Sequence, residues 1–108
     1  MVYAFSQDVP IDPAFYKRIV DGLGDEVPEG LIVHIALARP EGGLRYIDVW
    51  ESEEAWDRFG EDRLHPVVHA LLSEALGGHQ PPEPPRSPLP IVHVWGGGRL
   101  VATEVAGA

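Results

Sequence analysis

Apolar and polar positions along the chain alternate with a two-residue repeat in some stretches and a helical repeat in others. In Val2–Gln7, Tyr3, Phe5 and Gln7 alternate with Val2, Ala4 and Ser6, which predicts a first strand. Asp12 followed by Pro13 makes a helix start, because proline has no N–H to lose in the first turn. Phe15, Ile19, Val20 and Leu23 then form an apolar stripe, and Gly22 and Gly24 close the helix. Leu31–Ala38 is nearly all apolar and rich in branched residues, as expected of a strand buried on both faces; His34 is its exception. The turn RPEGG (39–43) leads into Leu44–Glu51, a clearly alternating strand, so the pair reads as an antiparallel hairpin. If Ala38 pairs with Leu44, His34 stands opposite Asp48, Ala36 opposite Tyr46 and Ile32 opposite Trp50. A slip of one residue would undo every pair.

The stretch Ile47–Phe59, IDVWESEEAWDRF, runs from that strand through Ser52 as N-cap into a second helix. Glu53 and Glu54 occupy the first turn, where the helix dipole favours negative charge. Trp56 and Phe59 start the buried stripe. Pro66 predicts a break near Leu64–His65 and a restart with Pro66 in the first turn, because a proline inside a straight helix forfeits a hydrogen bond. Val67, Val68, Leu71, Leu72, Ala75 and Leu76 continue the stripe until Gly77 and Gly78. The proline-rich run 81–90 reads as a stiff connector. Ile91–Trp95 gives a further strand, and in the tail, 97–108, Leu100–Val105 could add a fifth.

The element order is therefore β-α-β-β-α-β with a C-terminal strand or tail, an α+β domain of the ferredoxin-like pattern. Two helices cover one face of such a sheet. Because Leu31–Ala38 and Ile91–Trp95 carry apolar groups on both faces, the uncovered face calls for a partner surface, and a two-fold homodimer is the simplest one.

Composition narrows the partners. At 108 residues, one domain is expected over 1–108. With Lys+Arg 8 against Asp+Glu 17 the net charge is -9, which disfavours nucleic acid and anionic membrane surfaces. The chain has no cysteine, which excludes disulfides, thiolate metal sites and a thiol nucleophile. No apolar run approaches a membrane span, and the start MVYAFSQD lacks a signal-peptide pattern, so a cytoplasmic setting is expected.

The element order over roughly 2–95, the junction DVWESEEAWDRF and the following LHPVVHALL resemble the dimeric α+β barrel superfamily, specifically its antibiotic-biosynthesis-monooxygenase-like group. That resemblance implies a two-fold dimeric barrel. It also implies a small-molecule activity such as cofactor-independent monooxygenation of aromatic polyketides, haem degradation, isomerisation or cyclisation. Haem-degrading members are similar in having a Trp-led acidic junction, an aromatic residue nine positions on and a haem-ligating His ten further. Counted from Trp50, these fall on Phe59 and His69, with Phe59 replacing the family's second Trp. Gln7 stands where those enzymes carry Asn.

Among the residues themselves, His34 and Asp48 form the sharpest constellation. A carboxylate across the ladder from an imidazole fixes its tautomer and raises its basicity, as a general base requires. A structural cross-strand hydrogen bond would place the same two residues. Tyr46, Trp50 and Trp56 could hold a planar substrate by stacking, with Phe59, His69 and His93 as further lining. His65 and His69 have the i, i+4 spacing of metal ligands, but Pro66 between them argues against convergent rings, and no metal is expected. Gly96–Gly98 has no following Lys, Ser or Thr at phosphate-loop spacing, and no serine sits in a nucleophile elbow. The expectation is a cofactor-free enzyme on a planar or polyketide-like molecule, with His34 as base and Asp48 orienting it. The alternatives are a non-catalytic binding or structural dimer, and haem binding through His69.

Overall fold

The computed structural model describes residues 2–96 and, as backbone only, residues 99–103. Its elements in chain order are β1 (Tyr3–Val9), α1 (Pro13–Leu23), β2 (Leu31–Ala38), β3 (Leu44–Trp50), α2 (Glu53–Phe59), a π-helical turn (Gly60–Leu64), α3 (His65–Ala75), β4 (Ser87–Pro88), β5 (His93–Gly96) and β6 (Arg99–Thr103). The caps follow from side-chain chemistry. Asp12 accepts from the Phe15 amide at 2.8 Å, and Ser52 accepts from the Ala55 amide at 3.1 Å. Each satisfies an amide that the first helical turn leaves without a partner.

Four strands form one antiparallel sheet in the order β2-β3-β1-β4. β2 lies at one edge and the two-residue β4 at the other, so the sheet is open and no barrel closes. Two expectations are corrected here. Ile91–Trp95 was to supply the last strand of a ferredoxin-like sheet in a dimeric α+β barrel. Instead the fourth place is taken by Ser87–Pro88 from the proline-rich run, while His93–Gly96 pairs with Arg99–Thr103 in a separate two-stranded sheet. The observed architecture is a mixed α+β fold with an open sheet and two helices, the second interrupted by the π turn. Of the tail, 104–108 lies outside the described residues, as do residues 97–98 and Met1.

The proline-rich run is a strap as well as a connector. Leu89 donates its amide to the Ala4 carbonyl at 2.9 Å, and Gln7 donates its side-chain amide to the Pro84 carbonyl at 2.7 Å. Prolines lack the amides to bind a central strand but can serve an edge. Arg86 seals the strap, its guanidinium lying 5.3 Å from the Trp56 ring and 5.6 Å from that of Phe5.

The hairpin register agrees with the alternation for Ala38 with Leu44, Ala36 with Tyr46 and His34 with Asp48. It then shifts between Leu31 and Val33, so that Trp50 pairs with Leu31 and not with Ile32. Nor is β2 buried on both faces: as the edge strand it leaves Val33, Ile35 and Leu37 between 37% and 43% exposed on the outer face. Part of the apolar surface that called for a partner is thus open in the single chain.

The core lies between the inner sheet face and the helices, around Phe5, Trp50, Ala55 and Trp56. Trp50 and Phe5 are each 1% exposed, and burying a large side chain of this kind contributes about 1.5–3 kcal/mol. Two close approaches fix the helices. A Cβ at Gly22 would lie 2.8 Å from Val67 Cγ1, so glycine lets α1 press on α3. Gly30, at φ +87, brings the loop before β2 against Ala55, where an added Cβ would meet the Ala55 Cβ at 2.5 Å.

Pro66 does not break the helix. Leu64 and His65 keep right-handed helical angles, and the His65 amide reaches back five residues to the Gly60 carbonyl. The wider turn accommodates the proline ring and its missing donor without ending the helix.

Candidate functional site

A cavity of about 200 Å³ opens between the inner sheet face, α1 and the α2–π segment. Its walls are mainly aromatic and aliphatic, with Phe5, Trp50, Trp56 and Phe59 on the sheet and α2 side and Ile19, Val20 and Leu23 on α1. Polar groups gather at one end, where Gln7, Tyr16, His34, Tyr46 and Asp48 line the space.

These polar groups form a connected chain. The Tyr16 hydroxyl lies 2.8 Å from His34 Nε2, and His34 Nδ1 lies 2.6 Å from Asp48 Oδ1. The other Asp48 oxygen accepts the Trp50 indole N–H at 3.0 Å. Asp48 is 4% exposed, so its oxygens depend on these donors in place of water. β3 makes the arrangement possible, because Tyr46, Asp48 and Trp50 alternate onto one face and the register sets His34 beside Asp48.

Proton positions follow from the surroundings. Burial, and secondarily the Asp48 charge, push the Tyr16 phenol above its ordinary value. It therefore keeps its proton and donates to His34 Nε2. The single ring proton of a neutral imidazole then sits on Nδ1, where it donates to Asp48. Tyr46 packs edge-on against His34, with ring centroids 5.1 Å apart. Burial first, then Tyr16 and Asp48, drive its phenol strongly upward as well. The cavity's polar end thus presents two neutral phenols and an imidazole whose lone pair, in this tautomer, is on Nε2, facing Tyr16.

Of the residues singled out from the sequence, His34, Asp48, Tyr46, Trp50, Trp56 and Phe59 all line this cavity. His69 and His93 do not. His69 is on an exposed face of α3, its ring stacked on His65 at 5.6 Å, and His93 is exposed on β5 beside Trp95. Among the described residues no group of three or more His, Asp or Glu side chains could hold a metal ion. His69, the residue on which the haem alternative rests, is not among the residues lining this cavity. Gln7, matched above to a family amide, spends its side-chain N–H on the strap.

Sequence reasoning missed Tyr16 and Arg63. Tyr16 had a legible signal: with Ile19, Val20 and Leu23 it completes an i, i+3, i+4, i+7 stripe, a better helical match than Phe15. Arg63 had one as well: it follows Trp56 and Phe59 at i+7 and i+4, on the helix face that these two aromatics bury.

No family model, curated protein or solved structure matches this chain. Together with the open sheet, this overturns the resemblance to the antibiotic-biosynthesis-monooxygenase-like group and to dimeric α+β barrels. No helix among the described residues is long and apolar enough to cross a membrane.

Proposed function

We propose that the cavity binds a small planar molecule and that His34 abstracts a proton from it. This is the step shared by isomerases, cyclases and cofactor-free oxygenations of such compounds. The carrying observation is the chain Tyr16–His34–Asp48–Trp50 lining one end of a mainly apolar cavity. In the step, a C–H bond beside a carbonyl breaks, the proton passes to His34 Nε2, and the electron pair moves onto the carbonyl oxygen as an enolate. Asp48 stabilises the imidazolium that forms, and the neutral phenols of Tyr16 and Tyr46 are the donors available to the enolate oxygen. Tyr16 must move its hydroxyl from Nε2 to the substrate, a side-chain rotation. Return of the proton to another carbon completes an isomerisation; in a ring closure the enolate carbon bonds to a second carbonyl carbon of the substrate, and the proton passes to that carbonyl's oxygen.

Size sets the substrate class. A cavity of about 150 Å³ holds benzene, so one of about 200 Å³ suits a substituted single ring or a compact bicycle. A four-ring polyketide is too large for it. A cytoplasmic setting goes with this reading.

One observation favours a second reading, a non-catalytic binding protein: both His34 nitrogens already have partners. A single experiment separates the two. With 2-tetralone as probe in D₂O, the catalytic reading expects exchange of the α-hydrogens above the buffer rate, lost in His34→Gln. Binding of the ketone without accelerated exchange leaves the binding reading.

A further inference from the structure

We infer that the cavity selects an anionic ligand, a planar aromatic carboxylate held by Arg63 at the end opposite His34; this substrate class rests on the proton-transfer reading above. α1 gives the cavity its length. Tyr16 stands at the polar end and Leu23 at the far end, seven residues apart, or about 10 Å along a helix. At Leu23 the lining continues with Gly24, Glu26, Pro28 and Arg63.

Arg63 comes from the π turn and follows Trp56 and Phe59 at i+7 and i+4, on the face turned to the cavity. Its Nη2 donates to the Leu23 carbonyl at 3.1 Å and the Glu26 carbonyl at 2.9 Å, and the guanidinium lies 5.5 Å from the centre of the Phe59 ring. Those carbonyls fix the guanidinium in place and leave its charge unneutralised. Among the described residues no carboxylate reaches ion-pair distance of it, although the chain carries 17 acidic residues against 8 basic ones. Glu26 shares the loop but offers Arg63 its carbonyl, not its carboxylate. Nη2 has no proton to spare, and both forked faces of a guanidinium need it, so a ligand carboxylate would take a single charge-assisted hydrogen bond from the free Nη1. An aromatic ring lying between the Trp50–Phe59 wall and the Ile19–Leu23 side of α1 would direct its acid at Arg63 and its opposite edge toward Tyr16 and His34.

The test compares 2-naphthoate with its neutral counterpart 2-naphthamide by titration calorimetry. Wild-type protein is expected to bind the acid about tenfold or more tighter than the amide, the range of one charge-assisted contact. Arg63→Gln should erase that preference, while Arg63→Lys, which keeps the charge, should retain most of it. Equal affinity of wild-type protein for the two probes overturns the inference, as does a preference that survives in Arg63→Gln. Failure to bind either probe overturns it too. Tetralone exchange in the same wild-type sample reports separately on His34, so loss of the anion preference with exchange intact leaves the proton-transfer reading standing.

Discussion

Replacing Asp48 by asparagine isolates what the carboxylate does, because the amide has the same shape and half the acceptors. Asp48 accepts from two donors, the His34 ring at 2.6 Å and the Trp50 indole at 3.0 Å. The indole can only donate, so the asparagine oxygen must turn to Trp50 and its NH₂ to His34. An NH₂ donor there needs a lone pair on Nδ1. The ring proton then moves to Nε2, and the nitrogen facing Tyr16 and the cavity changes from a base to a donor. The variant keeps its packing and exchanges charge-assisted bonds for neutral ones, which costs about 1–3 kcal/mol. Proton-transfer activity falls much further, by roughly 100- to 10,000-fold, the usual share of a general base. Nitrogen-15 spectra of the imidazole, which distinguish Nδ1–H from Nε2–H, give the direct readout, with tetralone exchange alongside. An Asp48→Asn protein that retains Nδ1–H, or that exchanges the probe at the wild-type rate, refutes the assignment. Asp48→Ala makes the contrast: it leaves both donors unpaired in a buried site and should cost about 3–5 kcal/mol.

Three further outcomes follow from the same geometry. Trp50→Phe removes the indole donor from a carboxylate that is 4% exposed and shrinks a fully buried side chain, so urea denaturation should show a loss of about 2–4 kcal/mol; a loss under 1 would mean Asp48 does not depend on that bond. Gly30→Ala meets a left-handed φ of +87 and a 2.5 Å approach to the Ala55 Cβ, and should destabilise by about 2–4 kcal/mol, measured the same way; neutrality would mean the loop before β2 is not held against α2. Tyr16 and Tyr46 have phenols raised above the ordinary value, so above about pH 10 the folded state holds protons that the unfolded state has released. Stability should then fall with rising pH by up to about 1.4 kcal/mol per pH unit for each tyrosine, and Tyr46→Phe should flatten that alkaline limb in thermal melts; an unchanged slope would contradict the burial of Tyr46.

The His34–Asp48 pair was legible because it depends on a short-range quantity, the register set by a five-residue turn between two alternating strands. The same arithmetic failed at Ile32, two pairs further from the turn, because a register shift costs the backbone an irregularity but leaves no mark in side-chain alternation. Pro66 showed where the second helix would be perturbed, yet two backbone solutions satisfy a missing amide. The chain takes the wider turn over a break. The last strand failed for a different reason. Ile91–Trp95 has good strand propensity, and Ser87–Pro88 has almost none, but the sheet edge beside β1 goes to whichever segment can be anchored there. Gln7, Arg86 and the Leu89 amide do that anchoring. An edge strand needs few donors of its own, so long-range contacts outweighed local propensity. Those contacts also exclude a barrel, since a proline-rich edge of two paired residues cannot pass a hydrogen-bond ladder to another strand. The cavity sits on the inner face of β1 and β3, and its His34–Asp48 pair comes from the β2–β3 hairpin and not from that edge. Its chemistry was therefore readable from the hairpin although the architecture around it was not.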